Sequence, residues 1–399
     1  MHRILRFALI LGSLGLVSPT RAVEPVHAHG GQSAESQAQA ELGALAAFDA
    51  RGTLWTAHKV SGHIAVSRSE DRGKSWLNPV LVTPAPEPTD TGGDARPKIA
   101  LGPGGEIYVT WTKPLGKPYT GEIKFARSLD GGRTFSTPTI VHQDRQVITH
   151  RFDALTVNSQ GQVIVAWIDK RDLVAAVAAK GPPYRGAAVY FAVSDDRGAT
   201  FRGDYKLADH SCECCRIALV NHGDGSVTAL WRHIFEPNLR DHALARFYPD
   251  GRAGPVTRAS FEDWRIDACP HHGPALAEDA KGNLHAVWFS ASPQSQGVFY
   301  GRRLGDKTES LRRIGGEAAA HADIAIAGTR IVIAWKEFDG EQTRLRATDT
   351  KDGGNHWREF DLTATAGPSD HPRVLTWGDA VYVFWNTRDQ PLSVTEVPR

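Results

Sequence analysis

Hydrophobic and polar residues alternate along this chain in short runs that end on tryptophan. GEIYVTW (105–111), GQVIVAW (161–167), GSVTALW (225–231), GNLHAVW (282–288), TRIVIAW (329–335) and DAVYVFW (379–385) share the pattern, and GTLWTAH (52–58) fills the same slot with His58 in place of tryptophan. Period-two alternation rich in β-branched residues predicts strands. A helical reading fails against the punctuation of 39 glycines and 23 prolines. The slot recurs at 58, 111, 167, 231, 288, 335 and 385, at intervals of 53, 56, 64, 57, 47 and 50 residues. That spacing is the size of a four-stranded propeller blade. In the second unit the strands are expected at 97–101, 107–111, 123–128 and 134–141. The expected fold is all-β, a β-propeller of four-stranded antiparallel blades. Seven units are visible, the last, from Asp370, with only three strands; six blades after re-partitioning is the alternative. Residues after Ala22 are candidates to complete the seventh sheet.

A second repeat falls between strand-like runs. It reads SEDRGKSW (69–76), SLDGGRTF (128–135), SDDRGATF (194–201) and TKDGGNHW (350–357). The aspartate is spaced to accept backbone N–H groups of its own turn, and the glycine supplies a positive φ. The closing aromatic can bury roughly 150–250 Å² between neighbouring sheets. Asp71, Asp130, Asp196 and Asp352 therefore read as turn staples, since four equivalent copies cannot share one active site. The phrase resembles the Asp box, or BNR repeat, of the sialidase (neuraminidase) superfamily, over most of residues 41–399. The resemblance implies a β-propeller whose boxes are structural and lie away from the active site. It is specific for fold and weak for activity, because that superfamily includes sialidases, other glycosidases, lectin-like binders and assembly factors. Sialidases themselves have six blades, so a seventh is a departure.

Lys+Arg (46) and Asp+Glu (45) balance to a formal net charge of +1, without a long basic run, which argues against a nucleic-acid partner. His2, Arg3 and Arg6 precede an apolar stretch at 7–17, and Thr20-Arg21-Ala22 fits a cleavage site. Residues 1–22 are read as a signal peptide, 23–40 as a disordered lead-in and 41–399 as the propeller, exported to the periplasm or secreted, monomeric, with no membrane span after cleavage.

In a propeller the innermost strands line the channel and ligands bind at one mouth. The residues just before each inner strand include Asp94 and Arg96, Arg151 and Asp153, Arg216, His271 and His272, His321 and Asp323, and Asp370, His371 and Arg373. Arg96, Arg151, Arg216, His272, His321 and Arg373 are the expected ligand-binding ring, with guanidinium forks suited to an anion. The ordinary alternative is solvated loop charge and salt bridges between blades. The resemblance implies three arginines on a substrate carboxylate, a tyrosine nucleophile activated by a glutamate, and an aspartate acid/base. The carry-over is incomplete. The family's Arg-Ile-Pro is absent, the nearest text being ARPKIAL (95–101), and no tyrosine sits at an inner-strand mouth. Tyr184, in the insertion at 172–188, could reach over the channel but has no assigned glutamate. Asp153 and Asp323 are the candidate catalytic groups, each equally a partner for an arginine. The expected ligand is an anionic glycan or other small acidic molecule, with hydrolysis open. A non-catalytic recognition propeller and a metal-handling protein are the alternatives.

All four cysteines lie in DHSCECCR (209–216) and DACPHHGP (267–274), loops that adjacent blades would bring together. Cys212, Cys214, Cys215 and Cys269, with His210, His271 and His272 nearby, support three readings. An even count in an oxidising compartment suggests disulfides, one to Cys269 and one within the first loop. Thiolates and imidazoles suit zinc or copper(I), faintly favoured by the His27-x-His29 pair, although Cys-x-Cys-Cys is not the usual zinc spacing. The third reading is a redox-active thiol.

Overall fold

The computed structural model describes residues 41–399 except 269, 305 and 306, and of residues 304, 307 and 310 only the backbone. The expected signal peptide and lead-in, the idea that residues after Ala22 complete the last sheet, and Cys269 lie outside the described residues. The described chain forms seven antiparallel sheets, six of four strands and one of three. Their first strands are Leu45–Phe48, Lys98–Leu101, His150–Val157, Ala218–Asn221, Ala275–Glu278, Ala319–Ala327 and Arg373–Trp377. Each packs on the first strand of the next sheet, and that of blade 7 packs on that of blade 1, so the wheel closes on its axis. Seven blades is therefore the outcome, not six. Among the described residues one α-helix, α1 (Arg171–Ala178), interrupts the β pattern at the start of the 172–188 insertion. No helix among the described residues is long and apolar enough to cross a membrane.

The core is not inside the sheets but between them. Seven hydrophobic clusters each join one neighbouring pair of blades. The slot tryptophans Trp111, Trp167, Trp231, Trp335 and Trp385 are wholly buried there, and Trp288 nearly so. Most of their indole N–H groups still find an acceptor, such as Glu87 for Trp111 (2.8 Å), Asp169 for Trp167 (2.8 Å) and Glu337 for Trp335 (2.9 Å). Burying an indole in a packed core without orphaning its polar end is what makes tryptophan usable here.

The Asp-containing turns join the third and fourth strands of blades 1, 2, 3 and 6. Antiparallel order alternates strand direction, so these turns lie on the face opposite the loops that lead into the first strands. In each, the aspartate accepts from the backbone N–H four residues on: Ser75 (2.8 Å), Thr134 (3.0 Å), Thr200 (2.9 Å) and His356 (3.0 Å). The closing aromatic reaches the preceding blade. Phe201 meets Phe125 edge-on at 4.9 Å and Trp357 meets Tyr300 at 5.1 Å. Trp76 donates to the Leu392 carbonyl (3.0 Å) and so ties blade 1 to blade 7. In that same turn Gly73 has φ +88°, and a Cβ there would come 2.2 Å from Val394, so glycine is required twice over.

One strand is shorter than expected. The fourth strand of blade 2 is only Thr139–Ile140. The Asp turn consumes residues 128–135, and Pro138 has no N–H to offer a ladder.

Asp130→Ala is expected to lower the melting temperature while leaving any ligand affinity unchanged, because the turn faces away from the loop-rich mouth. Trp335→Ala should cost about 3–5 kcal/mol in chemical denaturation. An Asp130→Ala protein as stable as the parent would refute the staple role.

Candidate functional site

The segments leading into the first strands converge on the axis, and their charges pair across it. Arg96 lies 3.1 Å from Asp370, linking blade 2 to blade 7, and its Nη1 donates to the carbonyls of Ala44 (3.0 Å) and His371 (2.9 Å). Arg216 of blade 4 donates through Nη1 to Asp94 (3.0 Å), through Nη2 to the Ala322 carbonyl of blade 6 (2.8 Å) and through Nε to the Pro274 carbonyl of blade 5 (2.9 Å). Arg373 donates to Asp323 (2.8 Å), which also accepts the Val374 N–H (2.7 Å). Gly273 N–H donates to Asp94 (2.8 Å), and a Cβ at Gly273 would come 2.2 Å from Arg216 Cγ, so only glycine admits this crossing. Three arginines of the expected ring are thus gathered at the hub, but as inter-blade clasps.

The remaining candidates divide. Arg151 stands apart in a pair with Asp90, its guanidinium 4.9 Å from the Phe152 ring. Asp153 is fully buried and accepts from Thr110 (2.5 Å) and Thr112 (3.3 Å). Tyr184 does not reach over the hub: its hydroxyl donates to Asp209 (2.8 Å) and its ring rests on His210 (4.8 Å). Burial, and then Asp209, push its phenol pKa well up.

His371, His321 and His272, from blades 7, 6 and 5, stack as one column. Ring centroids are 3.6 Å apart (15°) and 4.2 Å apart (8°), and Phe289 closes the column under His272 at 4.0 Å (15°). Burial holds His272 down at about 4 and keeps His321 and His371 far below 6.5. Lys336, half-buried, is lowered to about 8 by the same cause, opposed by Asp370. The two hub carboxylates move oppositely. Burial works against both, but Arg216, His371 and Arg96 overcome it at Asp94, whereas at Asp370 burial prevails and raises the pKa. His321, His271 and Phe152 take left-handed backbone (φ 54°, 52° and 54°), and the ladder slips between Ala320 and Asp323. Such a bulge re-aims the side chains on either side of it.

Inside the ring lies a cavity of about 150 Å³ touched by all seven first strands or the residues leading into them. Its charged lining is Arg96, Lys98, Arg216 and Arg373 against Asp94 and Asp323, and its walls are apolar, among them Leu45, Leu219, Leu276 and Ile324. Arg96 Nη2 and Arg373 Nε have no protein partner. Lys98, Lys336 and Arg232 escaped the sequence reading. The last two each follow a slot tryptophan directly, a position that could have flagged them.

Beside the hub, Cys212, Cys214 and Cys215 are buried with all three sulphurs within 4.8 Å of one another, close enough to share one metal ion. No bridge forms within this loop: Cys212 and Cys214 sulphurs are 3.7 Å apart, too far for a covalent bond. The expected bridge to Cys269 lies outside the described residues, and the three cysteines of this loop stand as free thiols. His271 does not join the thiols; it is exposed, with its ring 6.3 Å from Phe152. Hydrogen bonds from Cys214 and Cys215, and beyond them Arg240, draw the Cys212 thiol pKa well down.

No protein-family model matches this chain, and neither does any curated protein. Solved structures share its fold at low identity. An α-L-arabinanase from Penicillium chrysogenum, complexed with arabinobiose, superposes with TM-score 0.52 at 14% identity, covering 75% of this chain and 92% of that one. An ulvan lyase, a polysaccharide lyase bound to -[GlcA(1-4)Rha3S]-, superposes with TM-score 0.52 at 11% identity, covering 90% and 91%. NanB sialidase from Streptococcus pneumoniae aligns at TM-score 0.48 and 11% identity over 77% of this chain and 67% of that one, too loosely to argue from.

Two outcomes follow from the hub. The unfolded chain takes up a proton at a histidine as pH falls through 6.5, while folded His272 does so only near 4. Stability is therefore lost on acidification across that window, by up to about 3 kcal/mol for this one ring. His272→Phe, which keeps the stack, should flatten that loss in melting curves taken between pH 7 and pH 4. Arg96→Met should cost about 3–5 kcal/mol, because it strands Asp370; urea denaturation checks it.

Proposed function

We propose that this is an exported, sialidase-like propeller that binds the anionic group of a carbohydrate at the cationic hub of its loop-rich face. One observation carries the reading: four cations against two carboxylates line the hub cavity, and once Arg96, Arg216 and Arg373 are paired with Asp370, Asp94 and Asp323, Lys98 is left without a carboxylate within ion-pair distance among the described residues. Surplus positive charge between low-dielectric walls favours an anion far more than the same charge in water. About 150 Å³ is the space of roughly five waters. It admits a carboxylate or sulphate substituent, with the sugar left outside on the loops. The ulvan lyase of the same fold was solved with a GlcA-containing ligand and the arabinanase with arabinobiose, in keeping with a glycan.

Recognition without hydrolysis is the reading that fits best. Asp323 is taken up by Arg373 and the Val374 N–H, and Asp153 by two threonines. The Tyr184 hydroxyl donates a hydrogen bond to Asp209 and is not part of the cavity lining. A phenol whose pKa is raised is a poor nucleophile at neutral pH.

Lys98 provides the cleanest test, because it has no carboxylate partner and donates only to the carbonyls of Asp94 and Arg96. Lys98→Met should bind sulphate, glucuronate and sialosides at least about tenfold more weakly than the parent in calorimetry, with the melting curve retained. Parent-like affinity for every anion in Lys98→Met and in Arg373→Gln would overturn the proposal, as would glycan turnover that survives unchanged in both.

A further inference from the structure

Beside the hub, the turn from Cys212 to Cys215 does nothing for anion binding, yet it is built with care. It connects the outer strand Arg202–Ser211 of blade 3 to the inner strand of blade 4. Along extended chain, neighbouring side chains point to opposite sides. Here the turn gathers three thiols onto one point, with exposures of 1%, 3% and 2%. Its frame is fixed: the Cys212 N–H donates to the Arg232 carbonyl (2.9 Å), and Ser211 bridges to His233. Glu213, the other side chain of the turn, is drawn off into an ion pair with Lys170. Core packing alone has no use for three sulphurs in mutual contact, since any small apolar residues would fill the same space.

A second, independent observation concerns charge. Arg240 Nη1 lies 3.5 Å from the Cys212 sulphur. Arg232, itself 1% exposed, donates to the Arg240 carbonyl (2.7 Å) and covers the Trp264 ring at 4.7 Å. Among the described residues neither guanidinium has a carboxylate within ion-pair distance, and Arg232 Nε has no partner at all. Two cations are therefore held beside three thiols without a counter-ion. Buried charge is costly unless compensated, so the arrangement is prepared for negative charge on sulphur.

We infer that Cys212, Cys214 and Cys215 form a binding site for one copper(I) ion. Binding forms three Cu–S bonds, sends to solvent whatever protons the thiols still hold, at most three, and changes no oxidation state. The resulting tris-thiolate complex carries two negative charges, matching Arg232 and Arg240. Zinc prefers four ligands, and among the described residues no histidine or carboxylate joins the three sulphurs within the same span. A soft monovalent ion accepts three thiolates and needs no fourth. The surrounding apolar shell, with Phe152, Ile217, Trp231 and Ala243, keeps water and oxidants from the site.

The test uses the full mature chain, reduced and kept anaerobic, titrated with copper(I) against bathocuproine disulfonate. One copper per chain is expected, with a shell of three sulphurs in X-ray absorption and affinity that falls as pH falls. Cys212→Ser with Cys215→Ser should abolish stoichiometric uptake. Should that variant fail to fold, Arg240→Gln, which leaves every thiol in place, should still bind at least about tenfold more weakly. Cys269→Ser should retain one copper. Uptake that survives loss of the two thiols, loss of copper in Cys269→Ser, parent-like affinity in Arg240→Gln, or a four-ligand zinc complex that outcompetes copper(I) would each overturn the assignment. So would a disulfide among these three cysteines in protein isolated from its oxidising compartment.

Discussion

Seven first strands meet on one axis, and the polar groups at their leading ends must be paired there. Water cannot reach Asp94, Asp370 or Arg96 freely, because they are 4%, 1% and 3% exposed. An unpaired charge at such depth would cost several kcal/mol. The clasps Arg96–Asp370 and Arg216–Asp94 satisfy that demand across the hub instead of along it. They also restrict the register of the blades, since each guanidinium donates to carbonyls of blades other than its own. Closure of the wheel and chemistry at its centre are thus one problem with one solution. A small surplus of positive charge is what remains for a ligand once the clasps are made.

The two faces divide the labour. On one, the Asp turns carry short-range hydrogen bonds and an aromatic that grips the preceding blade. On the other lie the histidine column, the lysines and the thiol turn. Stability set by local turns leaves the opposite loops at liberty to vary, which is how one fold carries many sites. The histidine column also makes the hub sensitive to acid. Its rings are packed for the neutral form, between flat neighbours and cations, so protonation works against packing and charge together.

The sequence repeats announced the blades because each is a local event. A Trp-terminated strand and an Asp turn need only the residues beside them, so the count of seven, the three-stranded last sheet and the four staples could be read directly. The same reading located the hub charges to within a few residues. It did not find their partners, since Asp94 with Arg216 and Arg96 with Asp370 are separated by 122 and 274 positions. Nor did it find Lys98 or Arg232, whose importance comes from having no carboxylate within ion-pair distance among the described residues.

What the amino-acid order determined alone was therefore the period: strands, turns, buried aromatics, and the clustering of cysteine in one loop. What only the tertiary structure decided was allegiance. Left-handed residues and bulges before the inner strands send His321 into the stack and Asp323 to Arg373. Ring closure brings distant charges within 3.1 Å, and a turn folds three thiols together that sequence could equally have paired as disulfides. Local pattern follows from backbone geometry, whereas pairing of charge and sulphur follows from which surfaces the closed wheel buries against each other.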